Sequence, residues 1–454
     1  MNTAYYSAEQ LQALIQQGVF IPQPQTVAVG ADVPPEALRP GSVLHPFSRI
    51  EGAKTYLGPG AEVGVAGPVT VQNSFVGAGS KLGTLGGVTL KDCTAGPGTV
   101  LGQGVAEQAV FLGKEVTDPD FTCGYGFRVR KGSLYEEDAN SAQHTDTKMT
   151  ILQPWGTLGS NLNFCDILLG GGSGPELGAF SEVGSGVIHF NFTARGDKAT
   201  ASLLGDVVQG VFLNQQRLFV GGQCGLVGPL TADYGTLTSA GGRYTGHLHA
   251  GLNGGQPQPP DKRGFDLSVF GTIARVVRSQ VAYIAQLRAL EAWYAEVRLP
   301  LAATDPNHRQ ERETVYKAGL AQVQLNLKER VNQLAGYAVR VAKSVEKLHP
   351  TEPSSSRVVE QQSFVDAWPK LEAALLTSHP VPAPQALSQG LLAAAEQAAR
   401  QSTQPWRYTQ MVQGITEEAR TAGVAWLQGI AQQTSTHAIN ASGLGWLVAA
   451  WDST

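Results

Sequence analysis

A parallel β-helix followed by an all-α region is the fold class that this 454-residue chain predicts. Three observations predict it. An aliphatic residue recurs about every six positions through the glycine-rich N-terminal half, glycine becomes sparse after Gly255, and unbroken three- and four-residue apolar spacings follow. The repeat runs Leu57-Gly58, Val63-Gly64, Val69, Val76-Gly77, Leu82-Gly83, Val88, Leu101-Gly102 and Leu112-Gly113. In a prism-shaped coil the aliphatic residue points inward, while glycine and small residues turn the corners. One coil cannot bury its own apolar edge, so stability comes from stacking on its neighbours.

The elements follow in order. Residues 7–18 predict a short helix, and the Pro-rich stretch 21–45 leads into the first coil, so that 1–45 is a lead-in. Residues 46–255 form the β-helix, and 256–264 form a linker whose Pro-rich, charged composition makes a stiff, polar connector. Residues 265–454 form the helical region. There, Ile273, Val277, Val281, Ile284, Leu287, Tyr294 and Val297 make one apolar stripe. Tyr316, Leu320, Val323, Leu327, Val331, Leu334, Ala338, Val341, Val345 and Leu348 make a second, read as core or an oligomer seam. With Pro300 and Pro306 bracketing the turn, these read as an antiparallel helical hairpin. Further helices are predicted near 358–377, 385–402 and 406–434.

Composition excludes several functions. A net charge of −4 and a pI of about 6.2 offer no basic footprint for nucleic acid. No apolar run is long enough for a membrane helix, and the N-terminus lacks the basic and apolar regions of a signal peptide, so a cytoplasmic location is expected. Cys93, Cys123, Cys165 and Cys224 lie far apart and suit reduced thiols inside the coil. His247-x-His249 has a chelating spacing on a strand, but no third ligand is evident, so no metal is predicted. The glycines of 170–174 lack the Lys-Ser/Thr of a phosphate loop.

Residues 182–242 carry a more specific pattern. The segment opens on Glu182-Val183-Gly184-Ser185-Gly186 and runs through Asn191-Phe192-Thr193 and Arg195-Gly196-Asp197-Lys198. It continues with Gly205-Asp206, Phe219-Val220-Gly221-Gly222, Leu226-Val227-Gly228-Pro229 and Ser239-Ala240-Gly241-Gly242. This resembles the acetyltransferase half of the bifunctional glucosamine-1-phosphate acetyltransferase/N-acetylglucosamine-1-phosphate uridyltransferase family. There the order is Asn-Tyr-Asp, then Lys-x-x-Thr-x-x-Gly-Asp, a Val-Ala-Pro and an Ala-Ala-Gly corner. The uridyltransferase half has no counterpart here. The resemblance and the six-residue repeat together predict a left-handed β-helix. The resemblance also implies a homotrimer, with acetyl-CoA or another acyl-CoA bound between neighbouring prisms.

By the same resemblance, Asn191 positions an acceptor sugar, Phe192 replaces the family's Tyr, and Lys198 sits over the sugar phosphate. Gly222 and Ala240 meet the coenzyme arm. Acyl transfer to an amine needs a base and oxyanion donors. The family's Asn-His pair aligns with Asn163-Phe164, which puts Phe164 where the base belongs. His189 and His144 are the candidate substitutes. His189 shares its parity with Asn191, so both are expected to point outward from one strand, and His144 is placed in a polar loop, 138–148. Three functions remain open: an acyltransferase acting on a sugar phosphate or nucleotide sugar, a protein that binds such a ligand without turnover, and a trimeric scaffold presenting the helical region.

Overall fold

The computed structural model describes residues 4–116, 120–400 and 406–450, and it shows a parallel β-solenoid of about 12 turns followed by a helical region. The solenoid's strands are stacked in three faces. The first carries Arg49–Glu51, Val69–Gln72 and Val88–Lys91 in register. The second carries Tyr56–Leu57, Phe75–Val76, Thr94–Ala95 and Val110–Phe111. The third carries Val43–Leu44, Glu62–Val63 and Lys81–Leu82. This is the predicted fold class, and it is built as the repeat requires. Leu57, Val76, Ala95, Phe111, Tyr135, Leu152, Leu169 and Leu204 form one continuous buried column behind the second face.

Corner geometry explains the glycines. At Gly83, φ is +81°, and an added Cβ would stand 2.7 Å from the Val69 side chain. The register also corrects one sequence reading. Leu112 does not point into the prism: Phe111 pairs with Ala95 in the interior column, and Leu112 belongs to the apolar layer beneath the helices. The alternation of a strand allows only one of two neighbours to face inward.

The N-terminal helix α1 (Ala8–Gln16) is capped by a box between Ser7 and Gln10. A one-turn helix α2 (Val207–Gly210) interrupts the late coils. Residues 256–263 are exposed and carry neither helix nor strand. Then follow α3 (Ala274–Trp293), a π turn over Tyr294–Arg298, α4 (Leu299–Ala302) and the 40-residue α5 (Arg309–Leu348). Pro300 follows directly on the π turn, within an unbroken helical run from α3 into α4. The chain continues through α6 (Ser356–Leu376), α7 (Gln385–Arg400), α8 (Tyr408–Gln413) and α9 (Glu417–Ser442). The single helix predicted over 406–434 is two, because Thr416 caps a new start after Gly414. Among the described residues no helix is long and apolar enough to cross a membrane.

The helices lie on the second face. Val110, Leu112, Leu134, Ile151, Leu168 and Leu203 share one buried cluster with the apolar stripes of α3 and α5. The α5 stripe is core, as its spacing predicts, but a polar line beside it does the docking. Gln322 donates to the Gln108 and Ser133 carbonyls at 2.8 and 3.0 Å, Asn326 to the Gly132 carbonyl at 2.7 Å, and Arg330 to Asp166. Nearer the start of the helix, Glu311 accepts from the Tyr56 hydroxyl and the Ala78 amide. From Glu311 to Arg330 the helix rises about 28 Å. The coils between Phe75 and Leu168 rise about 24 Å at strand spacing. So α5 runs along the solenoid axis, and its polar residues meet successive turns.

Candidate functional site

The first face ends in a polar cleft roofed by α5. Arg130, Lys148, Met149, Asn163, Cys165, Asp166, Asn191 and Lys198 line it from the solenoid, and Glu329 and Gln333 close it from the helix, around a volume of about 190 Å³. Strands Cys123–Val129, Thr145–Leu152 and Leu162–Leu169 stack in parallel, which brings Arg130, Lys148 and Cys165 together from separate turns. Asp166 occupies a left-handed corner at φ 57° and accepts from both Asn191 and Arg330. That pair holds the Asn191 amide in place. Arg130 is committed to Asp146 at 2.7 Å and to the Cys165 sulfur at 3.2 Å. Among the described residues, Lys148 and Lys198 form no ion pair, so their ammonium groups remain available across the cleft from Glu329. Burial pushes the Cys165 thiol up to about 12, which keeps it protonated and a poor nucleophile.

Lys198 belongs to a loop, 191–201, that α5 and its neighbours help to fix. Arg195 donates to the Val269 carbonyl at 2.9 Å and stacks on Phe265 and Phe270, and Arg340 of α5 donates to the Arg195 carbonyl. The Lys198 ammonium lies 5.9 Å from the ring centroid of Phe192, which is exposed. Asn191, Phe192 and Lys198 therefore come together as the sequence grouped them.

The histidines do not join them. His189 is 1 % exposed and faces the prism interior, in register with Leu226, between the Cys165 carbonyl at 2.5 Å and the Ser202 hydroxyl at 2.7 Å. The expectation that it shares a facing with Asn191 is overturned. The strand ends at Phe190, and the alternation of facing ends with it. Burial lowers His189 to about 4, so it is a neutral structural imidazole at ordinary pH. His144 is exposed, and the expected loop 138–148 narrows to the short connection 142–144 between two strands. His144 occupies a corner at φ 54° between strands Asn140–Ser141 and Thr145–Leu152, edge-on to Tyr125, and it does not line the cleft.

Phe164 is fully buried and pairs with Thr147 inside the prism, so it does not stand at an outward catalytic position. Gly222 and Ala240 lie at the opposite edge of the first face. The Gly241 amide donates to the Gly222 carbonyl at 2.8 Å, which stacks the two corners on each other. Cys93, Cys123 and Cys224 are interior thiols as expected, whereas Cys165 faces the cleft.

The sequence did not single out Arg130, Lys148, Asp166 or Arg330. A signal existed for the last: Gln322, Asn326 and Arg330 recur at four-residue spacing beside the apolar stripe, which marks a polar line facing a partner surface. Compared with protein-family models and with curated proteins, the chain matches none.

Proposed function

We propose that the cleft binds a phosphorylated sugar, making the chain an acyltransferase-like β-helix protein specialised for recognition. The observation that carries this is the pair of ammonium groups, Lys148 and Lys198, which form no ion pair among the described residues and face an amide that Asp166 and Arg330 orient. The two lysines supply point charges for a phosphate, while Asn163, Asn191 and Gln333 supply donors and acceptors suited to sugar hydroxyls. The volume is below the roughly 300–1,000 Å³ of larger ligand pockets. A sugar phosphate therefore fits better than a whole nucleotide sugar, whose nucleoside would lie outside.

A second reading, acyl transfer from acetyl-CoA or another acyl-CoA, is favoured by the fold and by the stacked corners at Gly222 and Ala240. It requires a coenzyme groove between prisms of a homotrimer. The first and third faces would have to form that groove. Ile188 and Phe190 on the first face are 43 % and 49 % exposed and would be buried there.

Thermal-shift and calorimetric titration with glucosamine-1-phosphate, UDP-N-acetylglucosamine and acetyl-CoA separates the readings. Stabilisation by the sugar phosphate, lost in Lys198→Ala and Lys148→Ala, supports recognition. A shift with acetyl-CoA as well, together with release of free coenzyme A and a trimeric mass in light scattering, supports transfer. No response to any of the three ligands removes both.

A further inference from the structure

A second cluster of chemically capable side chains lies away from this cleft, where the second face turns into the third near the end of the solenoid. Thr231 and His247 pair in register on strands Gly225–Ala232 and Arg243–Leu248, and Asp233 and His249 follow at the strand ends. The His247 Nε2 and His249 Nδ1 atoms lie 3.2 and 3.5 Å from one oxygen, Asp233 Oδ2. All three ligand atoms fall within 4.8 Å of one another. They border a cavity of about 700 Å³ whose far walls include Arg278 and Ser279 of α3 and Gln428 and Gln432 of α9.

The sequence showed a His-x-His spacing without a third ligand. The turn-to-turn stacking supplies one, because Asp233 is fourteen residues before His247 in the chain but adjacent to it across the coil. The separations suit a metal. Bonds of about 2.0–2.2 Å in a tetrahedron place neighbouring ligand atoms about 3.3–3.6 Å apart. The other His247 nitrogen, Nδ1, lies 2.8 Å from the Thr231 hydroxyl. When that nitrogen carries the proton, Nε2 keeps its lone pair directed at the Asp233 oxygen, as the outer contact of a metal-bound imidazole commonly arranges. Two imidazoles and a carboxylate favour a borderline transition metal over magnesium or calcium, which prefer all-oxygen sets. A plain surface ion pair has no need of a second imidazole on the same oxygen, nor of an oriented first one.

We propose that Asp233, His247 and His249 hold one borderline divalent transition-metal ion, with zinc the leading candidate, and leave a fourth coordination position open to the cavity. Three protein ligands with an open position is the arrangement of a zinc site that accepts a water or a ligand group.

The test uses the full chain, stripped with a chelator and dialysed. Titration calorimetry with Zn²⁺ is expected to give one ion per chain, and Co²⁺ is expected to give the visible bands of a tetrahedral adduct. Mg²⁺ at the same concentration is expected to give neither. The double variant His247→Ala/His249→Ala should lose the stoichiometric site. Thr231→Val, which keeps the ligands, should weaken binding about 10–100-fold. His249 is the most exposed of the three, at 77 %, so His249→Ala alone is a variant that keeps the fold, checked by an unchanged circular dichroism spectrum. Absence of Zn²⁺ binding to the native chain, absence of tetrahedral Co²⁺ bands, or stoichiometric binding that survives in the double variant each overturns the proposal.

Discussion

The Arg298 guanidinium stands 2.7 Å from a Glu137 carboxylate oxygen, with the arginine side chain 1 % exposed and the glutamate fully buried. Arg298 leaves the π turn after α3 and also meets Glu136 at 3.0 Å. Hydroxyls of Tyr294 and Tyr316 donate to the two glutamates at 2.7 and 3.1 Å, and the guanidinium lies 3.9 Å over the Tyr408 ring. One cation thus serves two buried carboxyls, and it pins the helices to the solenoid. Burial pushes Glu136 up to about 7 against the pull of Arg298.

Removing the cation should therefore be costly and pH-dependent. Arg298→Met leaves two buried carboxylates unpaired, a loss of about 3–5 kcal/mol near neutral pH. A carboxyl whose folded pKa exceeds its unfolded value of about 4.3 binds more protons when folded, so stability falls as pH rises from about 4.3 toward the folded value. Without Arg298 the folded value of Glu136 rises further, and the fall steepens. Urea unfolding at about pH 5 and about pH 8 should show a smaller defect at the lower pH. An equal defect at both would mean that Glu136 does not change charge.

His189 gives the opposite sign. Its folded pKa of about 4 lies below the ordinary histidine value, so the folded state binds fewer protons between the two. Its contribution to stability is complete above about pH 6.5 and is lost as pH falls from there toward about 4. In an NMR titration the His189 ring protons should stay at neutral-imidazole shifts through about pH 5.5. A midpoint near 6.5 would show that the ring is solvated.

Phe164 tests facing against alignment. Phe164→Ala opens a hole in the prism and should cost about 3–5 kcal/mol in chemical unfolding. Phe164→His should also destabilise the chain and should yield no acyl-transfer activity, because the new imidazole would stand among buried side chains. Acyl transfer appearing in that variant would show that residue 164 reaches the outside.

The cleft separates structural from binding roles. Asp166→Ala leaves the buried Arg330 guanidinium without its carboxylate and should cost about 3–5 kcal/mol. Lys198→Ala, at a partly exposed side chain with no ion pair among the described residues, should change stability by no more than about 0.5 kcal/mol while reducing affinity for a sugar phosphate. Paired melting curves and calorimetric titrations on the two variants distinguish these outcomes.

By itself the sequence determined the periodic parts of this protein. The spacing from Leu57 to Leu101 specified the prism interior, and the stripe from Tyr316 to Leu348 specified the long helix, because each repeat needs only neighbouring residues to express its period. It also determined the grouping of Asn191, Phe192 and Lys198, which one short loop holds together. Tertiary structure decided everything that depends on which residues stack turn on turn. It turned His189 inward at the end of a short strand and set Leu112 beneath the helices. It brought Asp166 to Arg330 across 164 residues of chain and Asp233 to His247 across the coil. Such contacts depend on coil length and on the docking of α5, and no local period records either.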